Sequence, residues 1–297
     1  MRKGLSKSTS NNKSFVKTAC NATTAHDNNK PDDYTCYSIE QLQKMKIRWN
    51  ARHPDVPIIA SDKKGIWDAL HKHNKKMCNT ESCWIEQEFM KYYLDNKFKQ
   101  HTFAPKRPLK WDTNPVEWLT STNITDVMRQ YEYRYNDFEF IGPAPIDFDD
   151  RKGETECVWD ELCNFSVDDY LNRGKYMIGI VFNTDPHYKS GSHWISLFID
   201  LRANRKFVYF FDSNGDKCPH QIDIFRKRVV DQAKIAGITL QYNSNTGIQH
   251  QRQNTECGIY CLYFMTTLLS GKHDPTTFTN KRIPDELMEQ YRSVFFS

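Results

Sequence analysis

Residues 191–215, GSHWISLFIDLRANRKFVYFFDSNG, constrain the fold of this chain more than any other segment. Two runs rich in Phe, Ile, Val and Tyr flank the polar turn RANR, a pattern that predicts an antiparallel β-hairpin. A turn centred between Arg202 and Ala203 would place His193 opposite Asp212, about 5 Å apart on one face. A carboxylate beside an imidazole orients the ring and stabilises its protonated form. On the hairpin alone, a surface histidine that merely lies near a turn aspartate is an equally good interpretation.

A second informative segment is QHQRQNTECGIYCLYF, residues 249–264. Cys257 lies where a polar loop becomes an apolar helix, and Thr255 is available as the helix N-cap. Unpaired N–H groups and the positive end of the helix dipole favour a thiolate there. Gly258 allows another backbone or a substrate to approach closely. A free cysteine is often a core residue, and for Cys261, one turn further along, we accept that interpretation.

The order His193, Asp212, Gln251, Cys257 resembles that of the ubiquitin-like-protein-specific (deSUMOylating) and adenovirus-type cysteine proteases. The matching motifs are His193–Trp194 at a strand start, Asp212–Ser213 at the end of the next strand, and Gln251 six residues before Cys257–Gly258. The resemblance is specific over residues 176–270 and weaker upstream. A viral member carries Asn at the third triad position, and either residue can orient an imidazole.

The resemblance implies a role for each of these residues. Cys257 is expected to be the nucleophile, His193 the base and acid, and Asp212 the group that orients His193. The side-chain amide of Gln251 and the backbone N–H of Cys257 would form the oxyanion hole. Trp194 would flank the substrate channel, although a core tryptophan on a strand is an equally good interpretation. No metal or other cofactor is expected.

The pattern of apolar residues predicts an α+β fold. We expect a solvated basic and polar tail over residues 1–33, a helical N-terminal arm over 34–110 and a catalytic domain over 111–297. In the catalytic domain, a central mixed β-sheet should pack on the helix that carries the nucleophile. No run of residues is apolar and long enough to suggest a membrane span, so no membrane partner is expected.

The N-terminus lacks an apolar segment after its basic residues, which argues against a secretory signal and for a reducing compartment. The nine cysteines are therefore expected to be mostly free thiols or ligands and not a disulfide framework. We expect the protein to act in a virion, the host cytoplasm or both. The resemblance implies a cysteine endopeptidase that cleaves Gly-Gly-X sites and matures capsid or core polyproteins of a large DNA virus.

Several alternatives stay open on the sequence. The same chemistry could remove ubiquitin-like proteins from host conjugates. A binding module with a vestigial site is disfavoured, because every catalytic position carries a competent residue. The net charge of +4 hardly supports a DNA-binding virion protein, although DNA could activate a protease of this type. A zinc site built from His71, His73, Cys78 and Cys83 is a weak match to known ligand spacings.

Overall fold

The structure is a computed structural model that describes residues 19–23, 34–91, 98, 101–153 and 156–297. The chain divides into two compact units, residues 1–104 and 105–297. The division falls six residues before the boundary expected from the sequence.

The first unit is a helical unit with an aromatic core. Helix α1 begins after a capping box in which Ser38 and Gln41 satisfy each other's backbone N–H groups. A stripe of buried side chains on α1 meets a second tryptophan-bearing helix, because apolar residues recur at helical spacing. The helices described are α1 Ile39–Arg52, α2 Lys63–Asn74, α3 Glu81–Trp84 and α4 Glu88–Lys91.

The predicted solvated tail is wrong for residues 19–23, and the rest of that range lies outside the described residues. Asn21, Ala22 and Thr23 are buried. The side chain of Asn21 donates to the carbonyl of His101, and Cys20 is bonded to Cys36. Polar composition suggested solvation, but a covalent bridge and backbone pairing hold this short segment in place.

The prediction of mostly free thiols is also wrong. Six of the nine cysteines form disulfides, Cys20–Cys36, Cys78–Cys83 and Cys157–Cys163. Cys218, Cys257 and Cys261 are free. Disulfide pairing depends on which cysteines the fold brings together, and a compartment argument does not contain that information.

The second unit is built on a five-stranded mixed sheet in the order β1-β4-β5-β6-β7. The two outer pairs, β1 with β4 and β6 with β7, are parallel, whereas β5 is antiparallel to both neighbours. A separate pair, β2 with β3, lies outside this sheet. The strands are β1 Phe138–Pro145, β2 Arg151–Lys152, β3 Glu156–Cys157, β4 Met177–Asn183, β5 Trp194–Asp200, β6 Phe207–Phe211 and β7 Gln241–Ser244.

Helices cover both faces of the sheet, which confirms the α+β prediction. Side chains of α8 pack on one face, and α9, buried along its whole length, packs on the other. The helices of this unit are α5 Ser121–Arg134, α6 Asp160–Cys163, α7 Val167–Asn172, α8 His220–Ile235, α9 Cys257–Leu269, α10 Thr277–Asn280 and α11 Asp285–Phe295, preceded by a 3-10 turn at Leu109–Asp112. Within the described residues, no helix combines the length and apolar character that crossing a bilayer requires.

Candidate active site

His193 and Asp212 lie together at the open end of the β5–β6 hairpin. The Nε2 atom of His193 is 2.7 Å from Oδ1 of Asp212. The predicted pairing register is wrong, because Ser196 faces Phe211 and the turn is therefore centred one residue later than expected. Asp212 consequently reaches His193 as a diagonal neighbour, a separation that longer side chains can span.

The Asp212 carboxylate is held from several sides. It is 4% exposed, and its Oδ1 also accepts the backbone N–H of Asn214 at 2.9 Å. The side chain of Asn245 accepts from the Asp212 backbone N–H and donates to its carbonyl, at 3.0 and 2.6 Å. Asn245 therefore fixes the backbone from which the carboxylate projects. The sequence analysis missed Asn245, because it lies on a distant segment and belongs to no recognised motif.

Cys257 is the first residue of α9, as the sequence predicted. The expected N-cap is wrong, since Glu256 occupies the capping position and makes no side-chain cap hydrogen bond. The hydroxyl of Thr255 donates to the Glu256 carboxylate instead of accepting from a helix N–H. No side chain therefore caps the N–H groups of the first turn, which leaves them able to stabilise negative charge at this helix end.

The ring of His193 is hydrogen-bonded to Asp212, and Cys257 is close enough to affect the pKa of that ring. Burial lowers the pKa of His193, but the hydrogen bonds and negative charges of Asp212 and Cys257 outweigh it and raise that pKa to about 10. Because Nε2 faces Asp212, the other ring nitrogen is the one available to Cys257. With this pKa, His193 is protonated at neutral pH.

Gln251 is oriented by Ser213, the residue after Asp212. The Ser213 hydroxyl donates to Oε1 of Gln251 at 2.7 Å, and the Gln251 amide nitrogen donates to the carbonyl of Gln253 at 2.6 Å. The backbone N–H of Gln251 also donates to the Ser213 carbonyl. With Oε1 occupied, the amide orientation is fixed, and one of its two N–H bonds remains for another acceptor.

Trp194 is buried beside the histidine and is fixed by a distant backbone group. Its indole N–H donates to the carbonyl of Leu119 at 2.9 Å, and Leu119 itself lies against Gly258. Trp118, the residue before Leu119, is 41% exposed. Residues 118–119 thus join Trp194 to the first turn of α9. No motif in the sequence indicated this contact.

A cavity of about 340 Å³ opens beside Trp194. Trp159, Asn183 and His187 contribute to its wall. His187 forms a second histidine–aspartate pair, with its Nδ1 2.6 Å from Oδ2 of Asp147. Cys257 helps to raise the pKa of His193, so His193 is the histidine next to the thiol.

Two of the four residues of the possible zinc site cannot bind a metal as thiolates. Cys78 and Cys83 are bonded to each other and therefore supply no thiolate to a metal. Within the described residues, no group of three or more His, Cys, Asp or Glu side chains is arranged to hold a metal ion. Cys261 is buried, and that burial raises the pKa of its thiol, which keeps it protonated.

Proteins with sequences similar to this chain include thiol proteases. Residues 170–296 match the profile of the Ulp1 protease family, C-terminal catalytic domain. A protein of Acanthamoeba polyphaga mimivirus, provisionally named a thiol protease, is 28% identical over 89% of this chain and 90% of its own. The SUMO-1 cysteine protease of African swine fever virus is 27% identical over 78% of this chain and 88% of its own.

The fold has a solved counterpart. The crystal structure of the African swine fever virus protease matches with a TM-score of 0.63 at 23% identity. The match covers 94% of this chain and 96% of that chain. At this identity the match supports the α+β fold alone. The protease chemistry is inferred from the sequence comparisons and from the geometry of the site.

Proposed function

We propose that this cysteine protease, whose residues 170–296 match the catalytic domain of the Ulp1 protease family, cleaves Gly-Gly-X sites in viral capsid or core polyproteins. The observation that carries the site assignment is the His193–Asp212 hydrogen bond beside Cys257 at an uncapped helix start. The site of action that fits this role is the virion or the host cytoplasm.

The site residues are assigned the roles that the family resemblance implies. The Cys257 thiolate attacks the scissile carbonyl carbon, a C–S bond forms, and the carbonyl oxygen becomes an oxyanion. The free amide N–H of Gln251 and the backbone N–H of Cys257 donate to that oxyanion. As the C–N bond breaks, the His193 imidazolium gives its proton to the leaving amine.

Hydrolysis of the thioester completes the cycle. Neutral His193 takes a proton from water, whose oxygen attacks the thioester carbon. The C–S bond then breaks, the product acid leaves, and the thiolate and imidazolium are restored. Asp212 keeps Nε2 engaged throughout, so that the other ring nitrogen serves both proton transfers.

The family resemblance and one structural feature support Gly-Gly-X specificity. The family that this chain resembles prefers small residues before the cleaved bond, because they pass a narrow channel. Here Trp194 is fixed to the Leu119 carbonyl, close to the first turn of α9, so the passage beside Cys257 is bounded by groups that hold each other in place. The cavity beside Trp194 then receives the substrate segment that continues from this passage.

A fluorogenic Gly-Gly-X peptide tests the proposal, with Ala-Ala-X as the comparison substrate. We expect turnover of Gly-Gly-X by the native chain and none by Cys257→Ala. Cys261→Ala is the matched control, since its buried, protonated thiol lies one turn away on the same helix and should be dispensable. Equal turnover by native protein and Cys257→Ala would remove the assignment of the nucleophile, and equal cleavage of both peptides would remove the specificity.

The second candidate function is deconjugation of ubiquitin-like proteins. It is favoured by the name of the African swine fever virus relative, which connects that protein with SUMO-1. SUMO and ubiquitin probes that carry a C-terminal vinyl sulfone distinguish the two activities. Labelling of Cys257 by either probe supports deconjugation, whereas cleavage of the peptide without labelling supports polyprotein processing. Repeating the peptide assay with added duplex DNA tests whether DNA acts as an activator.

A further inference from the structure

Arg292, on the last helix, reaches the segment that carries Cys257. Its guanidinium is 7% exposed and donates to the carbonyl of Thr255 at 3.0 Å. It also donates to the carbonyls of Glu117 and Val116, at 2.9 and 3.3 Å. One side chain on α11 therefore joins two segments that are far apart in the sequence.

The same guanidinium faces the charge next to the nucleophile. Glu256 is fully buried, and its Oε1 lies 3.6 Å from Nη2 of Arg292. An uncompensated carboxylate beside Cys257 would oppose formation of a thiolate, because like charges disfavour each other at short range. Arg292 supplies the compensating charge, and an arginine stays protonated even where burial lowers its pKa, as it does here.

Arg292 also contacts the segment that anchors Trp194. The carbonyls of Val116 and Glu117 lie just before Leu119, which accepts the indole N–H of Trp194. The Thr255 carbonyl lies two residues before Cys257. The planar guanidinium can serve both sides at once, which a lysine ammonium, with its compact charge, does less well.

We propose that Arg292 is a positioning residue with two effects. It holds the segment that precedes Cys257 against the segment whose Leu119 carbonyl anchors Trp194, and it neutralises Glu256. Together these effects hold the nucleophile as a thiolate in attack geometry. This proposal rests on the proposed role of Cys257 as the nucleophile.

The test separates charge from geometry with two substitutions. Alkylation of Cys257 by iodoacetamide is measured against pH, with Cys257→Ala as the blank, together with kcat and KM for the peptide. In Arg292→Met, which loses charge and contacts, we expect the pH midpoint of alkylation to rise by about one unit. We expect its kcat/KM to fall on the order of 10²-fold. In Arg292→Lys, which keeps the charge, the midpoint should stay near the native value while kcat falls.

Two further variants sharpen the result. In Arg292→Met combined with Glu256→Gln, removal of the carboxylate should restore the alkylation midpoint but not kcat. Arg228→Met is the matched control, since Arg228 also donates to a backbone carbonyl and pairs with a carboxylate, and it lies on α8, which packs on the opposite face of the sheet from α9. It should leave both readouts at native values.

The outcomes are distinguishable from failure of the proposed function. If Cys257→Ala retains turnover, the proposed function itself is wrong. If turnover needs Cys257 but Arg292→Met shows native alkylation and kcat/KM, the proposal for Arg292 is wrong. It is also wrong if both Arg292 variants lower the melting temperature without changing the alkylation midpoint or kcat. Should Arg292→Met fail to fold, Arg292→Lys still tests the geometric part through kcat.

Discussion

Asp212 and Ser213 are neighbours in the sequence that serve different halves of the candidate site. The carboxylate of Asp212 accepts from His193, while the hydroxyl of Ser213 donates to Gln251. One strand end thus positions both the proposed base and the proposed oxyanion-hole donor. A shift of backbone at this point would disturb proton transfer and charge stabilisation together.

Asp212→Asn should move the pH dependence of activity. The Asp212 charge and hydrogen bond help to raise the pKa of His193 to about 10, so their loss should lower that pKa. The enzyme needs a protonated His193 to release the amine, and activity should therefore fall at a lower pH in the variant. The alkaline limb of kcat/KM against pH measures this. Asp223→Asn, on the exposed side of α8, should leave the limb in place, and an unchanged limb in Asp212→Asn would refute the argument.

Ser213→Ala should reduce kcat more than it changes KM. Without the hydroxyl, the Gln251 amide loses the bond that fixes its orientation, and we expect a loss of roughly tenfold, below the 10²–10³-fold cost of removing an oxyanion donor. Because Ser213 acts through Gln251, Ser213→Ala should have little further effect in a Gln251→Ala background. Additive losses in that double variant would contradict this role.

The sequence indicated those site residues that belong to a recognised motif. His193, Asp212, Gln251 and Cys257 could be identified because their types and order are characteristic. Asn245 and Arg292 could not, because each acts through backbone groups of segments remote in sequence. Such contacts depend on the fold and leave no local pattern.

The first turn of α9 packs directly on the segment before α5. A Cβ atom added at Gly258 would lie 3.0–3.2 Å from three side-chain atoms of Leu119. The absence of a side chain at Gly258 therefore allows Leu119, and through its carbonyl Trp194, to lie beside the nucleophile. The motif Cys-Gly has a packing reason as well as a chemical one.

Gly258→Ala should destabilise the fold, because Leu119 must move to admit the methyl group. We expect a loss of about 1–3 kcal/mol in the free energy of unfolding, the usual cost of overpacking. Urea denaturation measures it. Leu119→Ala removes the obstructing atoms, and in that background the penalty of Gly258→Ala should largely disappear. An equal penalty in both backgrounds would show that the contact with Leu119 is not the cause.

The β5–β6 hairpin was only partly predicted from the sequence. Both strands were predicted, but their register was not, because the turn continues beyond RANR. The backbone N–H groups of Arg205 and Lys206 both donate to the Arg202 carbonyl, and Lys206 adopts a φ of 47°. A non-glycine residue in this left-handed region has no clear sequence signature.

The second unit contains one buried histidine whose titration should affect the stability of the whole molecule. His250 is fully buried, accepts the backbone N–H of Ile283 at 3.0 Å and stacks on Phe211. Burial lowers the pKa of His250 to about 4. Between its ordinary pKa of 6.5 and that value, the unfolded chain binds a proton that the folded chain does not.

Stability should therefore fall as the pH is lowered from about 6.5 to about 4, by on the order of 2–3 kcal/mol from this group. In His250→Asn the amide oxygen can accept from Ile283, and the group no longer titrates, so this part of the pH dependence should disappear. Chemical denaturation at several pH values provides the measurement. His220→Asn, at an exposed histidine, should keep the native dependence, and a similar flattening in both variants would exclude His250 as the cause.

At the scale of the whole molecule, the sequence predicted the fold class but not the covalent bonds. The alternation of helical and strand patterns depends on local periodicity, which a single sequence records. Disulfides depend on which cysteines meet, and the free thiol that does become the candidate nucleophile is distinguished by its helix position and not by its spacing from other cysteines.

The Cys157–Cys163 bridge lies on either side of Trp159, which contributes to the cavity wall beside Trp194. A reducing reagent therefore acts on this enzyme in two opposing ways. Low amounts of dithiothreitol should keep the nucleophile from oxidation, while higher amounts should reduce this bridge and loosen the cavity wall at Trp159. Activity plotted against reductant concentration should pass through a maximum, and substitution of both bridging cysteines by serine should remove the decline at high concentration.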